Sequence, residues 1–377
     1  MKVRLGDYIN EYSVKNKADE DIPVYSVTNT QGFCRDYFGK EVASKDKTTY
    51  KIVPKGCFAY NPSRINVGSV DWQRTEDKVI VSPLYNVFCV SDEINKQYLY
   101  YYLKSDITLQ RIKTVATGSV RDNLKLDMLS EFPIELPDKK EQSLIVDILD
   151  KTKQVIALRK KELDALDNLI KARFVEMFGD PIKNPKGWKV ATIGDVVTEA
   201  RYGTSKPAVE GGKYPYIRMN NITSDGHLDL NDLKYIDIPD DEIEKCVVRK
   251  GDVLFNRTNS AELVGKTAFF DLPQDMVIAG YIIRLRLSEK MLPEVLVQYM
   301  NLEALKKILR SMAKGAVNQA NINAQELQSI KLYIPDMDLQ KQFIEIKGQI
   351  DKSKVKIQKS LDETQCLLDS LMQKYFG

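Results

Sequence analysis

Three short stretches of the sequence have the residue types of a catalytic or cofactor site. Gly265-Lys266-Thr267 looks like the end of a phosphate-binding loop, in which backbone N–H groups and a lysine hold phosphates. Asn61-Pro62-Ser63 looks like half of an Asn-Pro-Pro-Tyr motif, which would hold a flipped base for amino-group methylation. Pro335-Asp336, together with Glu345 and Lys347, has the carboxylates and lysine of a metal-dependent nuclease.

Each stretch lacks a part that its chemistry needs. The phosphate-binding loop would begin with glycine at position 260, where the chain has Ser260. A helix would then have to follow, but Ala268-Phe269-Phe270 favours a strand. The methylation half-motif lacks the second proline and the aromatic residue. Glu345 and Lys347 fall in a predicted long helix, whereas the nuclease motif takes its ligands from neighbouring strands. The sequence therefore predicts no enzyme that acts alone.

The histidine and cysteine content excludes further classes of chemistry. His227 is the only histidine and lies in the turn Ser224-Asp225-Gly226-His227, where we expect it to be solvated. No HExxH zinc site or GxGxxG nucleotide loop is present. The cysteines are scattered and never form a CxxC pair, which predicts reduced thiols, with neither zinc nor disulfides, in a reducing cytoplasm. They are Cys34, Cys57, Cys89, Cys246 and Cys366.

Composition bounds the remaining possibilities. The 377 residues suggest two or three domains at roughly 150 residues each. Hydrophobic residues make up 43% and charged residues 29%, as in an ordinary globular protein. The net charge of +3 is too small to indicate nucleic acid by itself. No secretory signal is visible at the start, and no apolar stretch approaches the ~18 residues of a membrane span. We therefore expect no membrane contact.

Clusters of Arg, Asn, Ser, Thr and Tyr in predicted loops have the chemistry of DNA recognition. Arginine matches guanine edges, Asn and Gln match adenine, and Ser and Thr suit phosphates. The plainer interpretation is that Asn and Ser fill turns for backbone reasons. The candidate DNA-binding residues are Tyr60, Asn61, Ser63, Arg64, Ser119, Arg121 and Asn123 in the first half, and Arg201, Tyr202, Thr204, Ser205, Lys206, Arg218, Asn220, Asn256, Arg257, Thr258, Asn259, Asn318, Gln319 and Asn321 in the second.

The elements that must position these residues occur twice. Leu136-Pro137-Asp138 recurs as Ile334-Pro335-Asp336, and Phe178-Gly179 recurs as Phe376-Gly377, in both cases 198 residues later. Three further landmarks recur in the same order at offsets that grow from 188 to 197: Leu5-Gly6-Asp7 as Ile193-Gly194-Asp195, Lys55-Gly56 as Lys250-Gly251, and Gly118-Ser119-Val120 as Gly315-Ala316-Val317. The sequence predicts two copies of one unit.

Each copy ends in a long apolar-striped helix. Residues 138–178 contain neither Gly nor Pro. Residues 336–376 contain a single such residue, Gly348. Apolar residues recur at steps of three and four, which predicts helices of roughly 50–60 Å that pack on each other as an antiparallel pair. The alternative is that each helix folds onto its own domain. The predicted helix-pair core is Ile145, Ile148, Val155, Leu163, Leu166, Ile170 and Phe174, with Phe343, Ile346, Ile350, Ile357, Leu361, Leu368 and Leu371.

The part before each helix mixes short β-type runs with helical stretches at Asn95 to Lys104 and Pro293 to Lys314. The predicted fold class is therefore α/β (α+β), with two similar globular domains separated by the helix pair. The boundaries are 1–137 for the first domain, 138–180 for the central helix, 181–335 for the second domain and 336–377 for the C-terminal helix.

The ordered motifs resemble the specificity subunit of type I restriction–modification systems. The match is carried by Lys250-Gly251-Asp252-Val253-Leu254-Phe255-Asn256-Arg257, by Gly315-Ala316-Val317-Asn318-Gln319-Ala320-Asn321-Ile322, and by their counterparts in the first copy. It covers the whole chain. One departure lies at Asp122-Asn123, which is one residue shorter than Gln319-Ala320-Asn321 and leaves the reading residues of the first copy less securely placed.

The resemblance implies two target-recognition domains that read an asymmetric, bipartite double-stranded DNA site. The long helices would act as a ruler and bind two methyltransferase subunits, with half-sites about one DNA turn or a little more apart. No cofactor is expected on this chain; S-adenosylmethionine, ATP and magnesium would belong to partner subunits. The resemblance implies the cytoplasm of a bacterium or archaeon, and leaves open whether restriction subunits join the complex.

Some roles stay open at this point. Arg64 and Arg257 either face a DNA groove or pair with surface acids. Pro137 and Pro335 are interpreted as hinges. Gln142 and Gln340 either orient the helix starts or face the methyltransferase. A different class of function, a coiled-coil adaptor with two ligand-binding domains, would show no salt-dependent affinity for DNA. A self-contained methylating nuclease is disfavoured because no cofactor loop is found.

Overall fold

The computed structural model describes residues 2–35, 46–116, 123–313 and 320–377. Four candidate DNA-binding residues lie outside this part of the chain: Ser119, Arg121, Asn318 and Gln319. The chain forms two compact units. Unit 1 contains Met1–Lys160 and Gln358–Gly377, and unit 2 contains Lys161–Ile357. Each unit therefore includes part of both long helices.

In the part of the chain that the structure describes, the first half begins with nine strands and ends in a long helix. Its elements are β1 (Lys2–Arg4), β2 (Ile9–Glu11), β3 (Ser26–Thr28), β4 (Gly32–Cys34), β5 (Lys51–Pro54), β6 (Phe58–Tyr60), β7 (Val70–Trp72), β8 (Lys78–Val81), β9 (Asn86–Val90), α1 (Lys96–Lys104), α2 (Asp106–Val115), α3 (Leu126–Ser130), β10 (Pro133–Glu135) and α4 (Lys139–Phe178).

The second half repeats this plan with some additional short elements. They are β11 (Lys189–Thr192), α5 (Ile193–Val196), β12 (Val197–Tyr202), β13 (Tyr214–Ile217), β14 (Lys234–Ile236), α6 (Ile243–Cys246), β15 (Val247–Val248), β16 (Val253–Asn256), β17 (Thr258–Asn259), β18 (Thr267–Phe269), β19 (Met276–Ile278), β20 (Ile282–Leu287), α7 (Pro293–Met300), α8 (Glu303–Met312), β21 (Ala320–Asn321), α9 (Ala324–Gln328), β22 (Lys331–Ile334) and α10 (Met337–Phe376).

The two units contain the same antiparallel sheet. The strand order is β2-β9-β6-β7 in unit 1 and β12-β20-β16-β18 in unit 2. In both units the first strand also pairs with the strand before the long helix, β1 with β10 and β11 with β22. The turn before the central strand holds a left-handed glycine in both, Gly56 and Gly251, which fits the freedom of glycine at positive φ. The internal repeat is therefore structural.

Strand β16 shows how the sheet is buried on both faces. Val253 and Phe255 pack with the helical layer that includes Leu296 and Phe343. Leu254, which points the opposite way, packs with Ile278 in a second cluster. This alternation follows from the two-residue period of a strand. Fully buried on both sides, the strand fixes the start of the loop that follows it.

The helices before the second long helix differ from the sequence prediction. The single helix expected from Pro293 to Lys314 is two helices, α7 and α8. The break lies at Leu302, which has extended backbone angles and a buried side chain. Pro293 occupies the first turn, where its missing N–H costs nothing. In unit 1 the equivalent helix α1 begins after Asn95, whose side chain accepts from Gln97 N.

The two long helices pack side by side in opposite directions. In unit 2 Phe174 of α4 meets Phe343 of α10, with ring centres 5.3 Å apart, and Asp167 pairs with Lys354. Residue numbers thus rise along one helix as they fall along the other, which makes the pair antiparallel. Of the predicted helix-pair core, Ile145, Ile170, Phe174, Phe343, Leu361 and Leu368 are buried, and Ile148, Leu163, Leu166, Ile346, Ile350, Ile357 and Leu371 are partly buried.

Val155 is a correction to the predicted stripe. Its side chain is 40% exposed, while Ile156 is buried. The buried positions in this part of α4 are Ile145, Leu149, Thr152 and Ile156, at steps of four, three and four. With this spacing, the buried stripe includes Ile156 and leaves Val155 outside it.

Two of the five cysteines depart from the prediction of reduced thiols, whereas Cys34, Cys246 and Cys366 are free. Cys57 and Cys89 form a disulfide, with Cα atoms 4.3 Å apart. The register Phe58↔Phe88 and Ala59↔Val87 places these two cysteines directly opposite each other on neighbouring strands. The pairing depends on the register of the sheet, which cysteine spacing alone does not reveal. No described helix is long and apolar enough to span a membrane.

Candidate nucleic-acid interface

The loop after β16 is the best-formed part of the predicted interface in unit 2. The Arg257 N–H donates to the Tyr281 carbonyl at 2.9 Å, and the Arg257 carbonyl accepts from Ile322 N at 2.9 Å. Next along the chain, β17 pairs with β21 and aligns Thr258 with Asn321. Three segments that are distant in sequence are thus held together at the end of one buried strand.

Arg257 lies on the ring of Tyr202. Its guanidinium carbon is 4.9 Å from the ring centre, a cation–π arrangement. Arg257 has no ion pair with an acid among the described residues, and its Nε is buried without a hydrogen-bond partner. Tyr202 is 44% exposed, and its hydroxyl accepts from Ala324 N at 2.8 Å. The alternative in which Arg257 pairs with a surface acid does not describe this site.

Asn256 is buried rather than available to DNA, contrary to the prediction from sequence. Its side chain is 0% exposed, and its Nδ2 donates to the carbonyls of Thr258 and Tyr281 at 3.3 and 3.4 Å. Its Oδ1 accepts from Asn259 Nδ2 at 3.0 Å. The amide can reach these groups because the chain turns sharply after β16. Asn256 therefore shapes the loop that carries Arg257.

Thr258 is buried as well, and donates its hydroxyl to Asn321 Oδ1 at 2.9 Å. The other candidates in unit 2 vary in exposure. Tyr202, Ser205, Asn220 and Asn321 are exposed, whereas Thr204 and Asn259 are half-buried.

Three basic candidates in unit 2 are engaged in ion pairs. Their partners lie within the same unit, so these side chains have a structural role in the unbound chain. The pairs are Arg201–Glu199 at 3.0 Å, Lys206–Glu242 at 2.8 Å and Arg218–Asp232 at 2.9 Å. Arg257, in contrast to these three, has no acidic partner among the described residues.

Glu199 organises a group of arginines, of which the sequence singled out only Arg201. It accepts from Arg201, from the fully buried Arg284 at 2.7 Å and from Arg286 at 3.0 Å. Burial alone would raise the pKa of Glu199, but the hydrogen bond from Arg201 and the charges of Arg284 and Arg286 hold it below its ordinary value. Burial lowers the pKa of Arg284. These residues come together because β12 pairs with β20, so the group cannot be recognised from the sequence alone.

In unit 1 the predicted residue Tyr60 belongs to the core. It is 0% exposed, donates its hydroxyl to the Leu124 carbonyl at 3.1 Å and accepts from Asn86 Nδ2 at 2.8 Å. Burial raises the pKa of Tyr60. It ends strand β6, where all three residues are buried, so it cannot face DNA in this conformation.

Arg64 lies at the surface after a tight turn. Asn61 Oδ1 accepts from the backbone N–H and the hydroxyl of Ser63 at 3.1 and 3.0 Å, an Asx turn. Arg64 is exposed, and its side chain has no partner among the described residues. Asn123, where the described chain resumes, is exposed too. Arg64 is thus a surface arginine without a partner among the described residues, in the loop of unit 1 that corresponds to the Arg257 loop of unit 2.

The rejected catalytic motifs have structural roles. Lys266 donates its ammonium to the Met219 carbonyl at 2.8 Å and to the Ile222 carbonyl, and strand β18 follows it instead of a helix. Glu345 and Lys347 lie in α10, and Lys347 pairs with Asp351 at 2.5 Å. His227 is half exposed at a turn.

The family model of the type I restriction modification DNA specificity domain matches residues 2–168 and 185–364. The chain belongs to this family. It is a specificity subunit: it recognises DNA sequence within a type I complex and is not itself an enzyme, since the catalytic activities of such complexes lie on separate subunits.

Relatives of this specificity subunit differ widely in sequence. The specificity subunit of the type I restriction enzyme EcoKI from Escherichia coli (strain K12) is 21% identical over 398 residues, which cover 99% of this chain and 86% of that relative. The putative MjaX specificity subunit from Methanocaldococcus jannaschii is 31% identical over 196 residues, which cover 51% of this chain and 46% of that relative.

Solved structures show the same fold at low identity. A chain from a study of complex assembly and conformational transition of the type I R-M system superposes with a TM-score of 0.65 at 19% identity, covering 100% of this chain and 97% of that one. The S subunit from M. genitalium superposes with a TM-score of 0.52 at 16% identity, covering 100% and 96%.

In this specificity subunit, one buried glutamine at the start of each long helix forms hydrogen bonds to the domain that precedes the helix. Gln142 accepts from Asn95 N at 2.7 Å and donates to the carbonyls of Glu93 and Pro137 at 3.1 and 2.9 Å. Its side chain is therefore fully used within unit 1.

Gln340 repeats this arrangement in unit 2. It accepts from Leu292 N at 2.8 Å and donates to the carbonyls of Lys290 and Pro335 at 3.1 and 2.8 Å. Of the two roles left open from sequence, the first is correct: Gln142 and Gln340 orient the helix starts, and both are too buried to face a partner.

Proposed function

We propose that this specificity subunit reads a bipartite, asymmetric DNA site, with one half read by each unit, and directs two adenine-N6 methyltransferase subunits to it. This chain binds no cofactor; S-adenosylmethionine, ATP and magnesium belong to the partner subunits.

The observation that carries this proposal is the position of Arg64 and Arg257. Each lies in the loop that follows the equivalent buried strand, β6 or β16, and neither has an acidic partner among the described residues. An arginine held at a surface without a carboxylate retains its donors for guanine O6 and N7 or for phosphate. Because the two loops differ in sequence, the two half-sites differ, which makes the target asymmetric.

The long helices support a spacer between the half-sites. Helices α4 and α10 have 40 residues each. At 1.5 Å per residue each is about 60 Å long, more than one DNA turn of about 34–36 Å. A site whose halves are centred on the order of one turn or slightly more apart fits this length.

The surface of α4 supports binding of a partner helix. Leu144, Val155 and Leu158 are 59%, 40% and 55% exposed. At 100° per residue they lie within about 60° of one another around the helix, in a partly apolar stripe that flanks the buried one and also carries charged side chains. Exposed apolar side chains grouped in this way indicate a protein contact. We assign this stripe to a methyltransferase subunit.

Co-expression with a cognate methyltransferase subunit tests the proposal. Single-molecule sequencing of the host DNA would show N6-methyladenine in a split, asymmetric motif only when both chains are present. The methyltransferase subunit alone is the control. An intact complex that adds no new motif would contradict sequence reading by this chain.

A further inference from the structure

Unit 1 carries a basic cluster that the candidate DNA-binding residues do not include. Three cations surround the ring of Tyr100: the Arg74 guanidinium carbon at 5.4 Å, the Lys104 ammonium at 5.5 Å and the Lys153 ammonium at 5.6 Å from its centre. Lys153 also lies 4.3 Å from the centre of the Tyr101 ring. We call Arg74, Tyr100, Lys104 and Lys153 the Tyr100 cluster.

The positive charge of the Tyr100 cluster is only partly neutralised. Arg74 pairs with Asp71 at 2.7 Å. Lys104 donates to the Asn29 carbonyl at 2.9 Å, and Lys153 has no ion pair among the described residues. Asp150 accepts from the Tyr101 hydroxyl and offsets part of the charge of Lys153. Lys104 and Lys153 therefore both lie near the Tyr100 ring without an ion pair to a carboxylate among the described residues.

Like charges held together in this way favour the arrival of an anion. The Lys153 side chain is exposed, but desolvation at its ammonium and the neighbouring positive charge of Lys104 lower the pKa of Lys153 to about 8. An anion that bound between these groups would relieve their repulsion and restore the ordinary pKa. The Tyr100 and Tyr101 rings fix the direction of the cations through cation–π contacts, so the site is organised before the anion binds.

The Tyr100 cluster adjoins the loop that carries Arg64. Ser69 N donates to the Arg64 carbonyl at 3.1 Å, which folds the chain back so that Gly68 lies beside Arg64. A Cβ atom placed on Gly68 would lie 3.4 Å from Lys104 Cδ. The cations thus continue from the predicted reading loop, past Gly68, to Lys153, about four turns into helix α4.

We infer that Arg74, Lys104 and Lys153 bind backbone phosphates of the DNA next to the half-site that unit 1 reads. This inference rests on the proposed function and deepens it. A DNA strand supplies several anions close together, which matches a cluster of cations better than the single carboxylate of a protein side chain does. The contact strengthens binding and fixes its register, but it reads no base.

Unit 2 lacks this anion site at the equivalent positions. By the repeat, Arg74, Tyr100, Lys104 and Lys153 correspond to Asp271, Val297, Asn301 and Asp351. These four residues line an open cavity of about 550 Å³. Since acids and an amide replace the cations, these positions of unit 2 do not offer the phosphate contact proposed for unit 1.

The test is the affinity of the assembled complex for its methylatable site across a salt series. The complex contains this full chain and its methyltransferase partners, and binding is followed by fluorescence anisotropy. Lys153→Gln should weaken binding about three- to tenfold, equally for specific and non-specific DNA, and reduce the salt slope by about 0.9, the loss of one phosphate contact. Lys153→Arg should keep both at wild-type values.

Lys151→Gln is the matched control. It removes one positive charge from the same helix two residues away, where Lys151 pairs only with Asp147 at the surface. If Lys153→Gln and Lys151→Gln have the same affinity and salt slope as wild type, the phosphate site is wrong while sequence reading stands. If Lys153→Gln instead lowers the fraction of chain that assembles with the methyltransferase subunits, and the complex that does assemble has wild-type affinity for DNA, the cluster binds a protein and the inference is overturned. A wild-type complex without specific binding would refute the proposed function itself.

Discussion

The guanidinium of Arg257 lies 4.9 Å above the ring of Tyr202, at a surface where neighbouring basic residues are paired with acids. The Arg257 backbone is held between Tyr281 and Ile322. The ring supports the side chain without neutralising it, so the donors of its two terminal nitrogens stay available, while Nε is buried. A contact of this kind positions an arginine in advance and lowers the entropy lost when it meets a base or a phosphate.

Replacing Arg257 with alanine should weaken recognition of one half-site only. A bidentate arginine contact to guanine discriminates against the wrong base by about 1–3 kcal/mol, so we expect a roughly 5- to 150-fold loss of affinity for the native site. The measurement is binding to a panel of DNA sites in which each half is altered separately. Arg310→Ala, which removes an arginine paired with Glu303 on α8, is the control. Unchanged methylation of the native site by Arg257→Ala would refute the assignment.

The Tyr202 ring should matter more than its hydroxyl. Tyr202→Ala removes the cation–π support, worth about 0.5–1 kcal/mol at an exposed site, and should lower half-site affinity by roughly two- to fivefold. Tyr202→Phe keeps the ring and loses only the hydrogen bond from Ala324. Competition binding with the native site separates the two variants. Equal losses for both would assign the effect to the hydroxyl instead.

The buried glutamines should contribute to stability. Gln340→Ala leaves the N–H of Leu292 without its acceptor and removes two further hydrogen bonds. An unsatisfied buried donor costs about 1–3 kcal/mol, so thermal unfolding of unit 2 should shift to lower temperature. Gln349→Ala, at an exposed position on the same helix, should change the free energy of unfolding by less than about 0.5 kcal/mol. Calorimetry would show whether the two variants differ.

The affinity for DNA should fall as the pH rises above about 8 if Lys153 binds a phosphate. The protonated ammonium binds the anion, and the pKa of Lys153 in the free chain is about 8, so raising the pH through this value removes the charge. Lys153→Arg carries a group that stays protonated and should abolish this part of the pH dependence. Anisotropy at constant ionic strength measures both proteins. Parallel pH profiles would exclude Lys153 as the titrating contact.

The repeat, the long helices and the family could be predicted from sequence because each depends on spacing along the chain. Apolar residues at steps of three and four predict a helix whatever surrounds it, although the exposed side chain of Val155 shows that one position can be misplaced. Tyr60 and Asn256 were misplaced for another reason. Their polar groups suggest a position at the protein surface. Only the packing of β6 and β16 reveals that both side chains are buried.

Contacts between distant segments could not be predicted. The Cys57–Cys89 disulfide depends on the register of β6 against β9. The Tyr100 cluster joins a residue after β7, a face of α1 and a residue in α4, and no pattern in the sequence links Arg74 to Lys153. Such clusters follow from tertiary packing, which a single sequence does not encode in any local period.

Lengthening both long helices tests whether they set the spacer of the recognised site. Seven added residues extend a helix by about 10.5 Å and rotate it by only about 20°, so the apolar stripe keeps its phase. The insertions belong between Lys160 and Lys161 in α4 and between Ile357 and Gln358 in α10, where the two compact units meet along each helix.

The extended helices should lengthen the spacer by about three base pairs, at 3.4 Å per pair, with both half-sites unchanged. Sequencing of N6-methyladenine in cells that contain the variant and its methyltransferase would show the new motif. An insertion of seven residues in α4 alone puts the antiparallel helices out of register and should abolish methylation, which controls for insertion itself. A variant with both insertions that is still active on the original spacer would mean that another part of the complex sets the distance.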